Sequence, residues 1–264
     1  MPITFAHPVA VLPFARRFPL PALVAGAVAP DVAYYLPIPL SGTVTHSVLG
    51  VLWWDVLIGL VLLLAFRLSA GPASILLPPG ARPAERGAVS TVAAVMIGAA
   101  THVVWDSVTQ TNGFAVQHWE LLRTSVIEPH KTYNVLGYLS SLAGTAVIAY
   151  LLVRRTAFPR TCRHRAVVAV LLAALVVGAV LAVDDPITEA STYDLIRHTI
   201  VGAAKAMIYT WALYAALWHL GSLRTRSCDR TNAAEGEGNH EGQGGDHGGR
   251  GEGRRHPTDQ GVGG

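Results

Sequence analysis

Five predominantly apolar runs of close to twenty residues restrict this chain to one kind of fold. They are 48–66 (VLGVLWWDVLIGLVLLLAF), 87–105, 133–153, 166–183 and 199–218. About 20 apolar residues in α-helix cross the roughly 30 Å hydrocarbon core of a bilayer. A helix also satisfies each backbone polar group internally, which lipid demands. The alternative, a water-soluble helical core, would have to bury all five runs at once. The chain is 51% hydrophobic and 14% charged, whereas soluble domains carry roughly 25% charged residues. The expected fold is therefore all-α: a polytopic membrane helix bundle of about five spans within 1–220.

A sixth stretch, LPALVAGAVA at 20–29, is too short to span and ends at Pro30-Asp31. It reads as a re-entrant or interfacial N-terminal segment. Residues 221–264 are different in kind. Gly and charge dominate, as in EGEGNHEGQGGDHGGRGEGRRH. Such a segment buries too little apolar surface to offset ordering entropy, so a disordered, solvated tail is expected, His240, His247 and His256 included. Cys162 and Cys228 lack metal-type spacing and lie in basic segments, which predicts reduced, unpaired thiols. The opening MPITFAHPVA has no basic n-region, so the first span is expected to direct insertion.

Charge predicts sidedness, because basic residues flanking spans stay cytoplasmic. The third connection holds Arg154, Arg155, Arg160, Arg163 and Arg165, and the fourth is acidic with Asp184, Asp185, Glu189 and Asp194. Arg67, Arg82 and Arg86 mark the first connection, and Arg224, Arg226 and Arg230 begin the tail. These place the tail in the cytoplasm, with the N-terminal side outside. Arg16 and Arg17 oppose that assignment unless a re-entrant segment carries them to the headgroups.

Ionisable residues in or beside spans are rare and have partners or work. Here His7, Asp31, His46, His102 and Asp106 gather at one expected depth, the outer face. His102 and Asp106 are four apart, so on a helix they share a face. An imidazole and a carboxylate so placed can share a divalent cation. Asp31 and His46 could complete the shell. Each residue also has a plainer reading: a histidine packed at the interface, Asp31 in a turn or N-cap, Thr45-His46-Ser47 opening a helix. Within the spans, Asp55 and Lys205 lie at matching depths and are expected to pair. Ser140 with Gly144, and Gly202 with Ala206, put small residues on one face and are expected to let helices approach closely.

The order His7, Pro30-Asp31 with Tyr34-Tyr35, Thr45-His46-Ser47, Trp54-Asp55 and His102-x-x-Trp105-Asp106 resembles the bacterial membrane proteins grouped as domain of unknown function 4184. The likeness runs over roughly 1–220. That family is similar to predicted inner-membrane metal-dependent hydrolases and, more distantly, to the zinc-dependent phospholipase C group. The resemblance implies a zinc or other divalent metal site in which Asp31, His46, His102 and Asp106 match ligands and His7 matches an N-terminal histidine. It departs at Gln110, where a His is usual. His118, Glu120, Glu128 and His130 in the second connection do not have the spacing of a further ligand pair.

The function expected is hydrolysis of a phosphodiester or ester of a membrane lipid or lipid-linked substrate. Asp31 or Asp106 would serve as the catalytic proton acceptor. No nucleic-acid partner is expected. The alternatives are a non-catalytic membrane protein with a structural polar or metal cluster, or a small transporter using Asp55 and Lys205, for which no inverted repeat is visible.

Overall fold

The apolar runs become five helical segments long and apolar enough to cross a membrane: Gly50–Ala73, Ala88–His118, Thr132–Arg154, Cys162–Val183 and Asp194–Ser222. The computed structural model describes residues 4–74, 76, 87–155, 162–184 and 191–240. Arg82, Arg86, Arg160, Asp185, Glu189, His247 and His256 lie outside the described residues. The chain divides into two units, Met1–Leu217 and Trp218–Gly264.

A 3₁₀ helix, Thr4–Arg16, opens the first unit, and α1 (Leu20–Val28) follows. A 3₁₀ turn at Ala29–Asp31, then α2 (Val32–Tyr35) and α3 (Gly42–Thr45), lead to the spans. One π-helical turn, Gly50–Trp54, introduces α4 (Asp55–Ala73). Next come α5 (Ala88–Thr109), α6 (Phe114–His118) and α7 (Glu120–Arg123). A two-stranded antiparallel ribbon of β1 (Ser125–Ile127) and β2 (His130–Lys131) is the β-structure among the described residues. The chain continues through α8 (Thr132–Arg155) and α9 (Cys162–Val183) to α10 (Thr192–His240). Helix α10 thus extends into the polar segment that begins at 221.

Pro8 and Pro13 shape the first element. Proline lacks an N–H and clashes with an α-helical carbonyl four residues back, and this stretch winds as 3₁₀ helix. At about 2 Å per residue it rises roughly 18 Å from His7 to Arg16. The chain turns through Arg17, Phe18 and Pro19 and returns along α1. The N-terminal segment is therefore a helical hairpin, with Arg16 and Arg17 at its tip, far from His7 and Asp31. Its inner face is apolar: Val11, Ala22, Leu23 and Ala27 pack with Leu63 of α4 and Val95 of α5. Helices α1 and α5 meet backbone to backbone. A Cβ on Gly26 would strike the Val95 carbonyl, and one on Gly98 would strike the Leu23 carbonyl.

Helix α9 shows the opposite distribution. Leu172, Val176, Val180 and Leu181 are exposed along it. An apolar surface of that extent belongs in lipid rather than water.

Both expected small-residue pairs are packed. Gly144 of α8 lies against Ala6 of the hairpin, while Ser140 accepts a hydrogen bond from the Trp105 indole, 3.3 Å. Gly202 of α10 lies against Gly178 and Ala182 of α9, and Ala206 sits opposite Gly178.

The expected Asp55–Lys205 ion pair does not form. Asp55 is fully buried, and neither of its carboxylate oxygens has a hydrogen-bond partner among the described residues. Lys205 is exposed. The reason is how the helices face. Asp55 shares its face of α4 with Gly59, which lies against Gly26 and Val95. Helix α10 turns its small residues toward α9 instead.

Candidate metal centre

The site is built from three separate segments. Asp31 ends the 3₁₀ turn after α1, His46 caps α3, and His102 and Asp106 sit one turn apart on α5. Four atoms converge: Asp31 Oδ1, His46 Nε2, His102 Nε2 and Asp106 Oδ2. His46 Nε2 is 3.1 Å from Asp106 Oδ2 and 3.5 Å from Asp31 Oδ1. His102 Nε2 is 3.3 Å from Asp106 Oδ2 and 3.5 Å from Asp31 Oδ1. These residues offer ligand atoms that all lie within 4.8 Å of one another.

The backbone fixes which way both imidazoles point. His102 Nδ1 lies 2.7 Å from the Ala27 carbonyl, and His46 Nδ1 lies 2.9 Å from the Gly42 carbonyl. A carbonyl only accepts, so both Nδ1 atoms donate. Each Nε2 is left to present either a lone pair or a second proton to the centre. Fixing the distal nitrogen to a carbonyl is the usual support for a ligating histidine.

A second ring of contacts holds the carboxylates. Asp31 Oδ2 accepts from the Thr4 hydroxyl at 2.5 Å, and Thr4 in turn accepts from Tyr35 at 2.9 Å. Asp106 Oδ1 pairs with His7 Nε2 at 3.2 Å. The His7 ring stacks on that of His102, with centroids 3.9 Å apart. The Gln110 amide donates to Asp106 Oδ2. Thus Gln110, at the place of the usual histidine, touches the same oxygen that faces the centre.

Sequence reasoning gathered His7, Asp31, His46, His102 and Asp106, and all five meet here. The first of them touches Asp106 and is not one of the four converging groups. Thr4 was missed, although one signal existed. Residues three apart eclipse in a 3₁₀ helix, so Thr4 and His7 share a face. His118, Glu120 and Glu128 are exposed and outside the group, and His130 is exposed beside Tyr138.

Electrostatics follow from burial and partners. Burial pushes the Asp31 carboxyl up. The facing His102 and His46 imidazoles and the Thr4 hydroxyl outweigh this and hold it well below the ordinary carboxylate range. Burial pulls His46 down, but Asp106 and Asp31 prevail and push it up to about 9.

The fit to a cation rests on two atoms. Asp31 Oδ1 and His102 Nε2 are buried and make no aligned hydrogen bond among the described residues. Each is aimed between its neighbours rather than at one of them. Atoms about 2.1 Å from one shared cation lie no more than about 4.2 Å apart. The four nitrogen–oxygen separations, 3.1 to 3.5 Å, fall within that limit.

A multi-pass helical membrane protein with a buried two-histidine, two-aspartate centre is the class that fold and site define. The family profile Domain of unknown function (DUF4184) matches residues 1–217, and the chain belongs to that family. No curated protein and no solved structure matches it.

Proposed function

We propose that this protein is a membrane-embedded, metal-dependent hydrolase acting on a phosphodiester or ester of a lipid or lipid-linked substrate. The carrying observation is the convergence of Asp31 Oδ1, His46 Nε2, His102 Nε2 and Asp106 Oδ2 with both Nδ1 atoms tied to carbonyls. His46, His102 and Asp106 would hold the cation, zinc suiting their nitrogen and oxygen donors. When bound, a divalent cation supplies Lewis acidity and a water that ionises near neutral pH.

The protein's own groups supply the rest. His7 and Thr4 hold the two carboxylates, so neither rotates away from the centre. Asp31 also forms part of the wall of a large cavity, so of the two carboxylates it borders the space for a substrate, and it would take the proton of attacking water while not itself ligating the cation. The water oxygen bonds to phosphorus or to the acyl carbon. The bond to the leaving alcohol breaks, and the proton held on Asp31 passes to the leaving oxygen.

We infer further that the centre lies at the outer face of a bacterial inner membrane, with the C-terminal segment cytoplasmic. Basic residues support this: Arg154 lies at the end of α8, and Arg163 and Arg165 lie in the first turn of α9. The hairpin supports it as well, because its tip carries Arg16 and Arg17 away from the centre.

A structural tie is the second reading. Its support is burial, with His102 fully covered and Asp31 and Asp106 nearly so, and the fact that the cluster joins hairpin to bundle. Metal analysis of purified protein, combined with release of product from a phospholipid, tests both. The hydrolase reading expects about one bound cation, lost in His102→Ala and Asp106→Ala, with turnover lost alongside. A cation retained in both variants refutes the site. A cation bound without turnover on any lipid phosphodiester or ester supports the tie.

A further inference from the structure

Two cavities flank the centre, and they differ in character. The larger, about 610 Å³, is chiefly apolar and lies between α8 and α10. Leu142 and Thr145 form one wall; Ile196, Ile200 and Val201 form the other. Leu142 and Ile196 are also exposed on the outside of the bundle, so this cavity opens sideways, toward lipid. The smaller, about 400 Å³, is polar and is lined by Gln110, Thr111, Asn112 and Asn134 among others. Tyr34 and Tyr138 line both cavities.

Charge is placed at that shared wall. The Arg197 guanidinium lies over the Tyr34 ring, 5.3 Å from its centroid. Arg197 and Asp31 are the arginine and the carboxylate in the lining of the apolar cavity. Asp31 belongs to the centre, where its Oδ1 faces His46 and His102. Arg197 then remains as the positive group facing a ligand. Arginine recognises phosphate oxygens through charge-assisted, often bidentate hydrogen bonds. Four residues beyond it, Val201 lies about 6 Å deeper along α10, on the apolar wall.

We propose that the ligand of this site is a single phospholipid taken laterally from the bilayer. Its acyl chain lies between α8 and α10, its phosphate lies on Arg197, and its headgroup lies against Gln110, Asn112 and Asn134. This rests on the hydrolase reading and narrows it, because Arg197 selects a phosphodiester over an uncharged ester. The arrangement matches an amphiphile part by part: an apolar slot, one cation at the boundary, and a polar pocket. Loading needs no extraction of the lipid into water.

The test uses the full chain in detergent with three probes: dioctanoyl phosphatidylglycerol, dioctanoylglycerol and inorganic phosphate. The phosphatidylglycerol should bind saturably, and dioctanoylglycerol about tenfold or more weakly, one charge-assisted contact being worth at least that factor. Inorganic phosphate should not compete at equal concentration. Arg197→Gln should weaken phosphatidylglycerol by about tenfold, leave dioctanoylglycerol unchanged, and be partly rescued by Arg197→Lys. Ile200→Trp, which fills the slot, should weaken both lipids. Unchanged phosphatidylglycerol affinity in Arg197→Gln overturns the proposal. So does equal wild-type affinity for the two lipids, or competition by inorganic phosphate. Cation content measured on the same samples separates the two readings. Arg197-dependent lipid binding by a protein that takes up no cation leaves the lipid site standing and sinks the hydrolase. A cation-loaded protein whose lipid affinity ignores Arg197 sinks the lipid site alone.

Discussion

At the scale of single residues, the centre can hold either protons or a divalent cation, and His46 shows the exchange most directly. Without a cation, its ring is held protonated by Asp106 and Asp31, up to about 9. Because that value lies above the ordinary 6.5, its ion pairing contributes fully below about pH 6.5 and fades as pH rises through about 9. Ligation requires the neutral ring, so cation binding near pH 7 should expel at least about one proton. Calorimetry in buffers of different ionisation enthalpy measures this, and a buffer-independent heat contradicts it. The thermal gap between loaded and cation-free protein should accordingly widen from about pH 6.5 to about pH 9. Thr4 acts one step away from the cation. Removing its hydroxyl in Thr4→Val frees Asp31 Oδ2 and should weaken cation binding about tenfold or more, as read by competition with a chelating dye. Lys205, exposed and unpaired with Asp55, should tolerate replacement. Lys205→Ala should shift stability in detergent by no more than about 0.5 kcal/mol, with the same shift in an Asp55→Asn background. A larger loss that the second change relieves would restore the ion pair.

At the scale of elements, the N-terminal hairpin delivers one of the four converging residues and both side chains that brace the carboxylates. It supplies Thr4, His7 and Asp31, and through Ala27 it orients His102. Helix α5 can accept it this closely because Gly26 and Gly98 leave room for backbone contact. Gly26→Val should therefore cost about 1–3 kcal/mol or more by overpacking and should also abolish cation binding, since it drives Asp31 from His102. Gly202→Val at the α9–α10 contact should cost a similar amount yet leave cation binding intact, because neither helix contributes a ligand. Thermal unfolding alongside metal analysis distinguishes the two, and loss of cation in both variants would contradict this division of labour. The short run at 20–29 was legible as a re-entrant piece from its length and from Pro30-Asp31. Its partner was not. The 3₁₀ winding of Thr4–Arg16 reflects prolines whose effect depends on what the segment packs against.

At the scale of the molecule, the hairpin bears on the orientation in the membrane. Arg16 and Arg17 seemed to contradict the sidedness given by the other basic residues. At the hairpin tip they lie at the end opposite the centre, which is the cytoplasmic end in the orientation proposed above. In a chain whose native cysteines are replaced, Arg16→Cys should be labelled by an impermeant thiol reagent only from the cytoplasmic side. Glu128→Cys, exposed in the α7–α8 connection, should be labelled only from outside. The reverse pattern inverts the orientation and moves the centre to the cytoplasmic face.

The sequence by itself determined the five membrane-crossing helices, since a bilayer imposes one length and one polarity on whatever crosses it. It also determined the His102/Asp106 pair, because helical period alone puts them on one face. Chain order could not say which residues from other segments would reach that face, nor which atoms they would present. Packing decided that Asp31 and His46 arrive with Oδ1 and Nε2 inward, that Thr4 and His7 brace the carboxylates, and that Asp55 turns toward α1 and α5 rather than toward Lys205. It also set Arg197, 166 positions after Asp31 in the chain, on the wall of the same cavity. These outcomes depend on side-chain volume at glycine contacts between helices distant in sequence, and no local periodicity encodes them.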